Sequence, residues 1–401
     1  MKVLIYTPSA RIGGVEVWSF TYYRQLLQQD VAVVLYSAES GKLAENLTIE
    51  EQASFKLGSF AQLIEFLAKN DIDVVHFPSQ AIDDGAGFIK ALFPTLKVIV
   101  TCHGAIPVGW HRKNCHQIIS CAQWLTKPSS LISGRNVPCI NNGIDITKFY
   151  APETMKNKDK PVALWVGRAS DSIKNFNEFA NAIPQIKALG FDIWVISSCP
   201  KNEVASIIPG IDLLLIDRWE SLSYDKMPFL YQEVAQRQGV LVMTSWREGL
   251  PMVAIEAQAC GIAMIGPDHT GIKDAQLNDI LLYQQSNNSD ALLSKVALIN
   301  RSKTDYLSGS LLAEQAKEVF SLDNMAQRYL SYYKADITNK PTMSVVARLK
   351  GFIVRVKYEN LTVRKQICHQ VQLIINELVA LKQETLAIKL QRKKIEYLFF
   401  K

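Results

Sequence analysis

The sequence predicts an α/β protein in which two doubly wound domains are followed by a basic helical extension. Its 401 residues exceed what one hydrophobic core usually supports, so two domains are expected. Short apolar runs alternate with helical segments along most of the chain, which is typical of parallel sheets with helical crossovers. We place the first domain at residues 1–150, the second at 151–335 and the extension at 336–401.

The first domain is predicted to open with a strand. The apolar run at its start ends at Tyr6 and is too short for the core of a signal peptide. Further elements follow from short apolar runs and from amphipathic periods. The predicted strands are 2–6, 31–36, 74–77, 97–101, 117–121 and 137–141, and the predicted helices are about 15–28 and 60–69.

Two adjacent glycines, Gly13 and Gly14, occupy the loop after the first predicted strand. A glycine pair lets a substrate or a phosphate approach the backbone more closely than a side chain would allow. A tight turn explains the pair equally well, so the loop alone does not define a binding site.

A histidine, His103, follows the fourth predicted strand, where side chains face the crevice beyond the carboxyl ends of a parallel sheet. A substrate contact, a core histidine and a metal ligand are the alternatives. Neighbouring residues invite a zinc site, but none of their spacings matches a zinc motif; they are Cys102, His111, Cys115, His116 and Cys121. The metal-binding form D-x-D occurs at 71–73, but it precedes its strand, away from the crevice. We therefore expect no required metal.

The segment from Asn141 to Phe149 ends the first domain. Its Asn-Gly pair predicts a tight turn, while Asp145 is placed to cap and Phe149 to anchor the connection. The polar residues 151–160 form the predicted linker.

The second domain repeats the alternation, with predicted strands at 161–167, 191–197, 211–216, 240–244 and 262–265 and a final helix at 320–333. Arg168 and Lys174 lie in the loop between its first strand and first helix. Two cations at such a place suit a diphosphate, although an arginine and a lysine in a loop mean little alone.

Two carboxylates, Glu248 and Glu256, lie eight residues apart across a predicted strand-to-helix junction. Glu248 falls in the loop at the carboxyl end of the strand, and Glu256 falls about one turn into the helix. Such carboxylates can accept hydrogen bonds from the hydroxyls of a sugar and a ribose, while the backbone of the turn holds phosphates. In the alternative interpretation Glu248 caps the helix and Glu256 is solvated.

Taken together, these motifs resemble retaining glycosyltransferases of family 4. The E-x7-E pair, the Gly-Arg…Lys element, the Asn-Gly…Asp…Phe turn, the Gly-Gly loop and His103 occur in the family's order, over roughly residues 1–333. The resemblance implies the GT-B fold, in which two Rossmann-like domains face a central cleft. Lys174 stands about one residue further from Arg168 than is usual in the family.

The resemblance also implies a reaction. A sugar moves from a nucleoside-diphosphate sugar, with UDP or GDP as the nucleotide, to a hydroxyl group with retention of configuration, and the leaving phosphate takes the acceptor proton on the same face. The acceptor would be a glycan or a glycolipid, as a cell-surface polysaccharide or a lipid-linked precursor. No cofactor and no covalent nucleophile are implied.

Site roles follow from the same resemblance. Arg168 and Lys174 stabilise the diphosphate, Glu248 and His103 contact the donor sugar, and Glu256 holds the ribose. The donor loops comprise Gly13, Gly14, Gly249, Leu250 and Pro251. Two alternatives remain, namely a sugar-nucleotide epimerase of the same fold and a catalytically silent scaffold in a glycan-assembly complex.

The charge of the chain is unevenly distributed. From residue 340 onward there are thirteen Lys and Arg against four Glu, a net charge of +9, which leaves −3 for the remainder of the total of +6. This extension could be a short coiled coil for self-association, a helix packed on the body, or a surface for peripheral membrane contact with anionic lipid. Nucleic acid is disfavoured as a partner because the basic charge lies outside the enzyme body.

Composition gives the expected location. The seven cysteines are scattered without C-x2-C pairs, which indicates reduced thiols and a cytoplasmic protein. No run of 18 apolar residues occurs, so we expect no transmembrane helix. A lipid-linked acceptor would place the protein at the inner face of the cell membrane.

Overall fold

The computed structural model describes residues 1–335, with the exception of 79–85, 87–88, 91, 105–114, 154–158, 209, 287 and 302–308. The expectations for the extension, including membrane contact and self-association, lie outside the described residues. Each half of the described chain is a parallel sheet with helices packed on it, which confirms the predicted α/β class.

The first half contains a six-stranded sheet within the described residues. Its strands are β1 (Lys2–Thr7), β2 (Ala32–Ser37), β3 (Phe55–Leu57), β4 (Val74–Phe77), β5 (Lys97–Cys102) and β6 (Gln117–Ser120). Its helices are α1 (Gly14–Gln28), α2 (Lys42–Glu45), α3 (Ile49–Ala53), α4 (Phe60–Lys69) and α5 (Gln123–Ser133). Helix α4 begins with a capping box, in which Ser59 and Gln62 exchange hydrogen bonds between side chain and backbone.

The second half also forms a six-stranded sheet in the described part of the chain. Its strands are β7 (Val162–Val166), β8 (Asp192–Ile196), β9 (Arg218–Glu220), β10 (Val240–Val242), β11 (Ala263–Pro267) and β12 (Leu282–Tyr283). The helices that follow the linker are α6 (Phe176–Ala188), α7 (Lys201–Ile207), α8 (Met227–Gln236), α9 (Met252–Ala259), α10 (Thr270–Ala275), α11 (Asp290–Arg301), α12 (Gly309–Val319) and α13 (Leu322–Lys334).

The two sheets share one topology. Their strand orders are β3-β2-β1-β4-β5-β6 and β9-β8-β7-β10-β11-β12, so each follows the order 3-2-1-4-5-6 of a Rossmann fold when counted from its own first strand. The order reverses between β1 and β4 in one sheet and between β7 and β10 in the other. In such sheets the crevice beyond the carboxyl ends at this reversal is the usual ligand site.

Two predicted strands were wrong. Residues 137–141 form only an isolated bridge from Cys139 to Ser120, because Pro138 offers a carbonyl to the edge of the sheet but has no N–H of its own. Residues 211–216 include a 3₁₀ turn at Leu213–Leu215, capped by the side chain of Asp212, and the strand begins later at Arg218. The short strands β3 and β12 were not predicted.

The last described helix, α13, packs against the first sheet although it follows the second one in sequence. Its Met325 accepts a hydrogen bond from the Trp18 indole at 3.1 Å. The hydroxyl of Tyr333 lies 3.1 Å from that of Tyr22 and 2.5 Å from Nδ1 of His76. Four of these side chains belong to one buried cluster, namely Trp18, Tyr22, Met325 and Tyr333. The buried His76 lies beside that cluster. The chain therefore crosses between the halves twice, once near residue 150 and once near residue 321.

Within the residues that the structure describes, no helix combines the length and the apolar character needed to cross a bilayer.

Candidate active site

The site is built on the loop that follows β10, at the carboxyl edge of the second sheet. The chain leaves the strand through the buried residues Thr244 and Ser245 and turns through Gly249 into helix α9, for which Pro251 is the N-cap. Leu250 and Pro251 are buried in this turn. The turn fixes where Glu248 and Glu256 lie.

Glu248 and Lys174 form an ion pair in this loop. Nζ of Lys174 lies 2.6 Å from Oε1 of Glu248, and the two side chains are 21% and 13% exposed. The hydroxyl of Ser245 donates to the same carboxylate oxygen at 2.7 Å. A carboxylate oxygen held by two donors fixes the orientation of the side chain.

The loop that carries Arg168 and Lys174 is fastened to the end of β10. Trp246 N–H donates to the carbonyl of Ile173 at 2.8 Å, and the Thr244 hydroxyl donates to the carbonyl of Lys174 at 3.0 Å. These contacts explain why residues 74 positions apart meet at the Lys174–Glu248 pair.

Arg168 extends from the start of the same loop. Its side chain is 62% exposed and pairs with Asp171 at 2.6 Å. Burial raises the pKa of Asp171, but the hydrogen bonds from Arg168 and from the Ile173 N–H outweigh it and leave that pKa lowered. Arg168 is thus an exposed guanidinium at the site, with one carboxylate partner that an anion could replace.

The backbone of Glu248 is held by the turn that opens α10. Its N–H donates to the hydroxyl of Thr270 at 3.2 Å, and its carbonyl accepts from the N–H of Gly271 at 3.2 Å. Thr270 has a φ of 52°, a left-handed conformation that is costly for a β-branched residue. A Cβ on Gly271 would stand 1.5 Å from the carbonyl oxygen of Gly249, so only glycine permits this approach.

Gly249 brings the first half of the molecule into the site. A Cβ there would lie 2.1 Å from the carbonyl oxygen of His103. The Trp124 indole donates to the Gly249 carbonyl at 2.9 Å, and the Asn142 amide donates to the Leu250 carbonyl at 3.1 Å. The loop of the E-x7-E motif is therefore a point of contact between the two domains.

His103 lies across this contact. Its ring packs against that of Trp18, with 4.4 Å between ring centroids. Burial lowers the pKa of His103 to about 3 against the opposing influence of the Asn142 side chain, so the imidazole is neutral at physiological pH. Among the described residues its buried Nε2 has no hydrogen-bond partner, which leaves that atom available to a ligand.

Glu256 is enclosed. It is 2% exposed, and its two oxygens accept hydrogen bonds from the hydroxyls of Tyr224 at 3.0 Å and Tyr231 at 3.4 Å. Burial raises its pKa to about 7, although both hydroxyls act in the opposite direction. The alternative of a solvated helix residue is thereby excluded.

The glycine pair lies at the start of α1, with Gly13 as the N-cap. A Cβ on Gly14 would meet nothing within 4 Å, and one on Gly13 would meet only the mobile end of the Glu16 side chain. Neither residue has a positive φ, so the fold itself does not require glycine at either position.

The structure thus brings His103, Lys174, Glu248 and Gly249 together around one loop, with Arg168 in the adjoining loop and Glu256 enclosed in the helix that follows. Sequence analysis gave no site role to three supporting residues, which are Trp124, Asn142 and Ser245. Only Ser245 had a local signal, as a hydroxyl three residues before Glu248. The others act across the domain boundary or from a distant turn.

Two of the residues that suggested a metal site in the sequence, His116 and Asp73, have protein partners in the structure. In the ranges that the structure describes, no three His, Cys, Asp or Glu side chains are grouped as metal ligands. His116 uses both ring nitrogens on protein partners, accepting from the Val98 N–H at 2.9 Å and lying 2.9 Å from Nζ of Lys90. Asp73 accepts from the N–H of Lys2 at the amino end of β1, at the edge of the sheet opposite the crevice.

Comparison with known proteins finds similarities in both halves of the chain. Residues 160–300 match the model of glycosyl transferases group 1, so this part of the chain is similar to that family. Over 108 residues, 27% of the chain, the sequence is 31% identical to N,N'-diacetylbacillosaminyl-diphospho-undecaprenol alpha-1,3-N-acetylgalactosaminyltransferase of Campylobacter jejuni. The match spans 29% of the length of that relative.

Solved structures extend the likeness to both halves. A glycosyltransferase of Rickettsia africae superposes with a TM-score of 0.69 at 15% identity, covering 83% of this chain and 98% of that one. Anabaena HepE in complex with UDP-glucose superposes with a TM-score of 0.65 at 12% identity, covering 83% and 99%. The fold is therefore GT-B, as the sequence resemblance implied.

Proposed function

We propose that this protein is a retaining glycosyltransferase that moves a sugar from a nucleoside-diphosphate sugar to a hydroxyl acceptor. The observation that supports it best is the Lys174–Glu248 pair, which lies where the loop after β10 contacts His103 of the other domain. Cations for a diphosphate and a fixed carboxylate for a sugar hydroxyl meet at one cleft, as this reaction requires.

The chemistry follows from these groups. As the bond between the sugar C1 and the diphosphate oxygen breaks, the departing diphosphate gains charge, and Arg168 and Lys174 neutralise it. The acceptor oxygen forms its bond to C1 on the same face, and its proton passes to the departing phosphate oxygen. Glu248 orients the donor sugar, and the neutral His103 contacts it from the opposite domain.

Both cations of the site are paired with carboxylates in the structure. Lys174 and Arg168 each have a carboxylate partner, Glu248 and Asp171, so neither is left as an unpaired charge. A bound diphosphate offers stronger, multiply charged acceptors and would release both carboxylates to other donors. Release of Glu248 in this way would link phosphate binding to the orientation of the sugar.

The choice of substrates rests on relatives. The Campylobacter jejuni enzyme is named for a diphospho-undecaprenol-linked acceptor, and HepE was crystallised with UDP-glucose. We therefore propose a UDP-sugar as the first donor to test, with a GDP-sugar as the second, and a lipid-linked saccharide or cell-surface polysaccharide precursor as the acceptor.

The experiment combines binding and turnover. Thermal unfolding is recorded with UDP, GDP, ADP and CMP and their sugar conjugates, and one diphosphate should raise the Tm of the wild type but not that of Arg168→Ala. With the donor so identified, Glu248→Gln should lower kcat/KM by about 100-fold or more while the Tm stays near the wild-type value.

A matched control is Glu233→Gln, which removes a carboxylate paired with Arg218 on the surface of the same half. It should leave turnover unchanged. Wild-type transfer by Glu248→Gln would remove Glu248 from the site. If no nucleotide shifts the Tm, the protein is instead the silent GT-B scaffold.

A further inference from the structure

A cavity of about 660 Å³ lies between the two halves. Helix α1, the connection at residues 145–150 and the segment at 223–232 contribute to its walls. Its lining mixes aromatic rings with amide and hydroxyl groups, and two of the rings, Tyr150 and Phe229, are 51% and 71% exposed. The cavity therefore has space and hydrogen-bonding groups for a polar organic ligand.

Tyr224 separates this cavity from Glu256. Its side chain lines the cavity, and its hydroxyl donates to Oε1 of Glu256 at 3.0 Å. Its ring lies against Phe149, with 6.0 Å between centroids, and the hydroxyl of Thr21 on α1 and the carboxylate of Asp145 are further polar neighbours. Tyr224 thus stands at the domain boundary with one end on the buried carboxylate.

The second tyrosine on Glu256 is placed differently. Tyr231 is 0% exposed within the core of the second domain, and it does not line the cavity. Tyr224 is half-buried and begins a short 3₁₀ turn, whose other residues, Asp225 and Lys226, are exposed. Ser221, three residues earlier in the chain, is also exposed. Of the two donors, only Tyr224 has open space into which it can turn.

The burial of Glu256 determines which groups a ligand needs in order to bind this carboxylate. At 2% exposure the carboxylate has no room for a new donor while both tyrosines are in place. A buried carboxylate that loses a donor without replacement is strongly destabilised, so a ligand that displaces a tyrosine must supply hydroxyl donors of its own.

We propose that Tyr224 is a gate on the donor site, and that ribose hydroxyls of the nucleotide displace its hydroxyl from Glu256 while the ring turns into the cavity. The inference rests on the proposed function, in which Glu256 holds the ribose. It adds a specificity-determining residue: Tyr224 donates a hydrogen bond to the carboxylate until a ligand replaces it, and it selects for ligands that carry vicinal hydroxyls.

The test measures the affinity of the full chain for UDP and GDP and for their 2′,3′-dideoxy counterparts. Tyr224→Phe removes the competing hydrogen bond and should bind the preferred ribonucleotide about fivefold more tightly than the wild type. The dideoxy form leaves Tyr224 in place, so its affinity should be the same in both proteins. Thermal unfolding of Tyr224→Phe without ligand checks that the fold is intact.

Tyr231→Phe is the matched control, because it also removes one hydroxyl from Glu256 but frees no path to the cavity. It should not tighten binding. Unchanged or weaker ribonucleotide binding by Tyr224→Phe, or an equal gain with the dideoxy form, would overturn the gate alone. Failure of both UDP and GDP to bind the wild type would overturn the proposed function and the gate with it.

Discussion

Glu256 shows how one residue couples the site to the stability of the protein. Burial raises its pKa from the ordinary value of 4.5 to about 7. The folded protein therefore binds a proton more tightly than the unfolded chain does. This contribution to the free energy of unfolding is fully present below about pH 4.5 and is lost as the pH rises through about 7.

Glu256→Gln should remove that dependence, since the amide keeps an acceptor for Tyr224 and does not ionise in this range. The Tm of the variant, relative to the wild type, should rise between about pH 5 and pH 7 and level off above that. Thermal unfolding of both proteins in matched buffers measures the difference. Because His103 and His116 titrate in both proteins, the comparison cancels them, and parallel Tm profiles would show that Glu256 is ionised throughout.

At the scale of single residues, the sequence predicted where the side chains lie better than what surrounds them. The spacing of Glu248 and Glu256 and the position of Lys174 were enough to place three groups at one edge of a sheet. The enclosure of Glu256 was not predictable, because its partners Tyr224 and Tyr231 lie 32 and 25 residues away and neither spacing has a recognised pattern.

Helix α13 shows how one element is attached to a domain that it does not follow in sequence. Its Tyr333 hydroxyl meets Tyr22 and His76, and the other nitrogen of His76 lies 2.7 Å from the Thr101 hydroxyl. Burial keeps the pKa of His76 well below its usual range, so this network is neutral. Such a network is stabilising only while every member has a partner.

Tyr333→Phe should therefore destabilise the protein by about 1–3 kcal/mol, because it leaves polar atoms of Tyr22 and His76 buried without that partner. Thermal unfolding should show a Tm several degrees lower. Tyr332→Phe, on the adjacent and only partly buried residue, is the control and should change little. Equal stability of the Tyr333 variant and the control would show that the hydroxyl network contributes nothing.

Helices and strands with a strong local sequence pattern were predictable. Segments whose conformation depends on packing against distant residues were not. The bounds of α4 and β4 agree with the sequence, since each has its own apolar period and end signal. The run at 211–216 is apolar because Ile211, Leu213 and Leu215 pack on the core from a turn. Amino-acid composition alone does not distinguish such a buried turn from a buried strand.

The whole molecule is held in one arrangement by contacts across the cleft. Asp274 of the second half accepts the Trp124 N–H at 2.7 Å, which caps the start of α5 in the first half. The Trp124 indole and the Asn142 amide add hydrogen bonds to the loop at 249–250. Domain closure and the position of the E-x7-E loop are therefore linked.

Asp274→Ala should weaken this closure, because loss of a helix cap costs about 1 kcal/mol and here the cap joins two domains. Small-angle X-ray scattering should show a larger radius of gyration for the variant without ligand, returning toward the wild-type value with the bound nucleotide. Asp268→Ala, which removes an ion pair with Lys273 inside the second half, is the control. An unchanged radius in the Asp274 variant would show that other contacts set the closure.

The double crossing of the chain has a consequence for synthesis. The core around Trp18 includes Met325, which lies 307 residues later. During translation the first sheet leaves the ribosome before helix α13, which covers one side of its core. Helix α13 emerges only after the entire second domain. The N-terminal half therefore completes its folding last, and a nascent chain stopped before residue 322 exposes the aromatic surface that α13 covers.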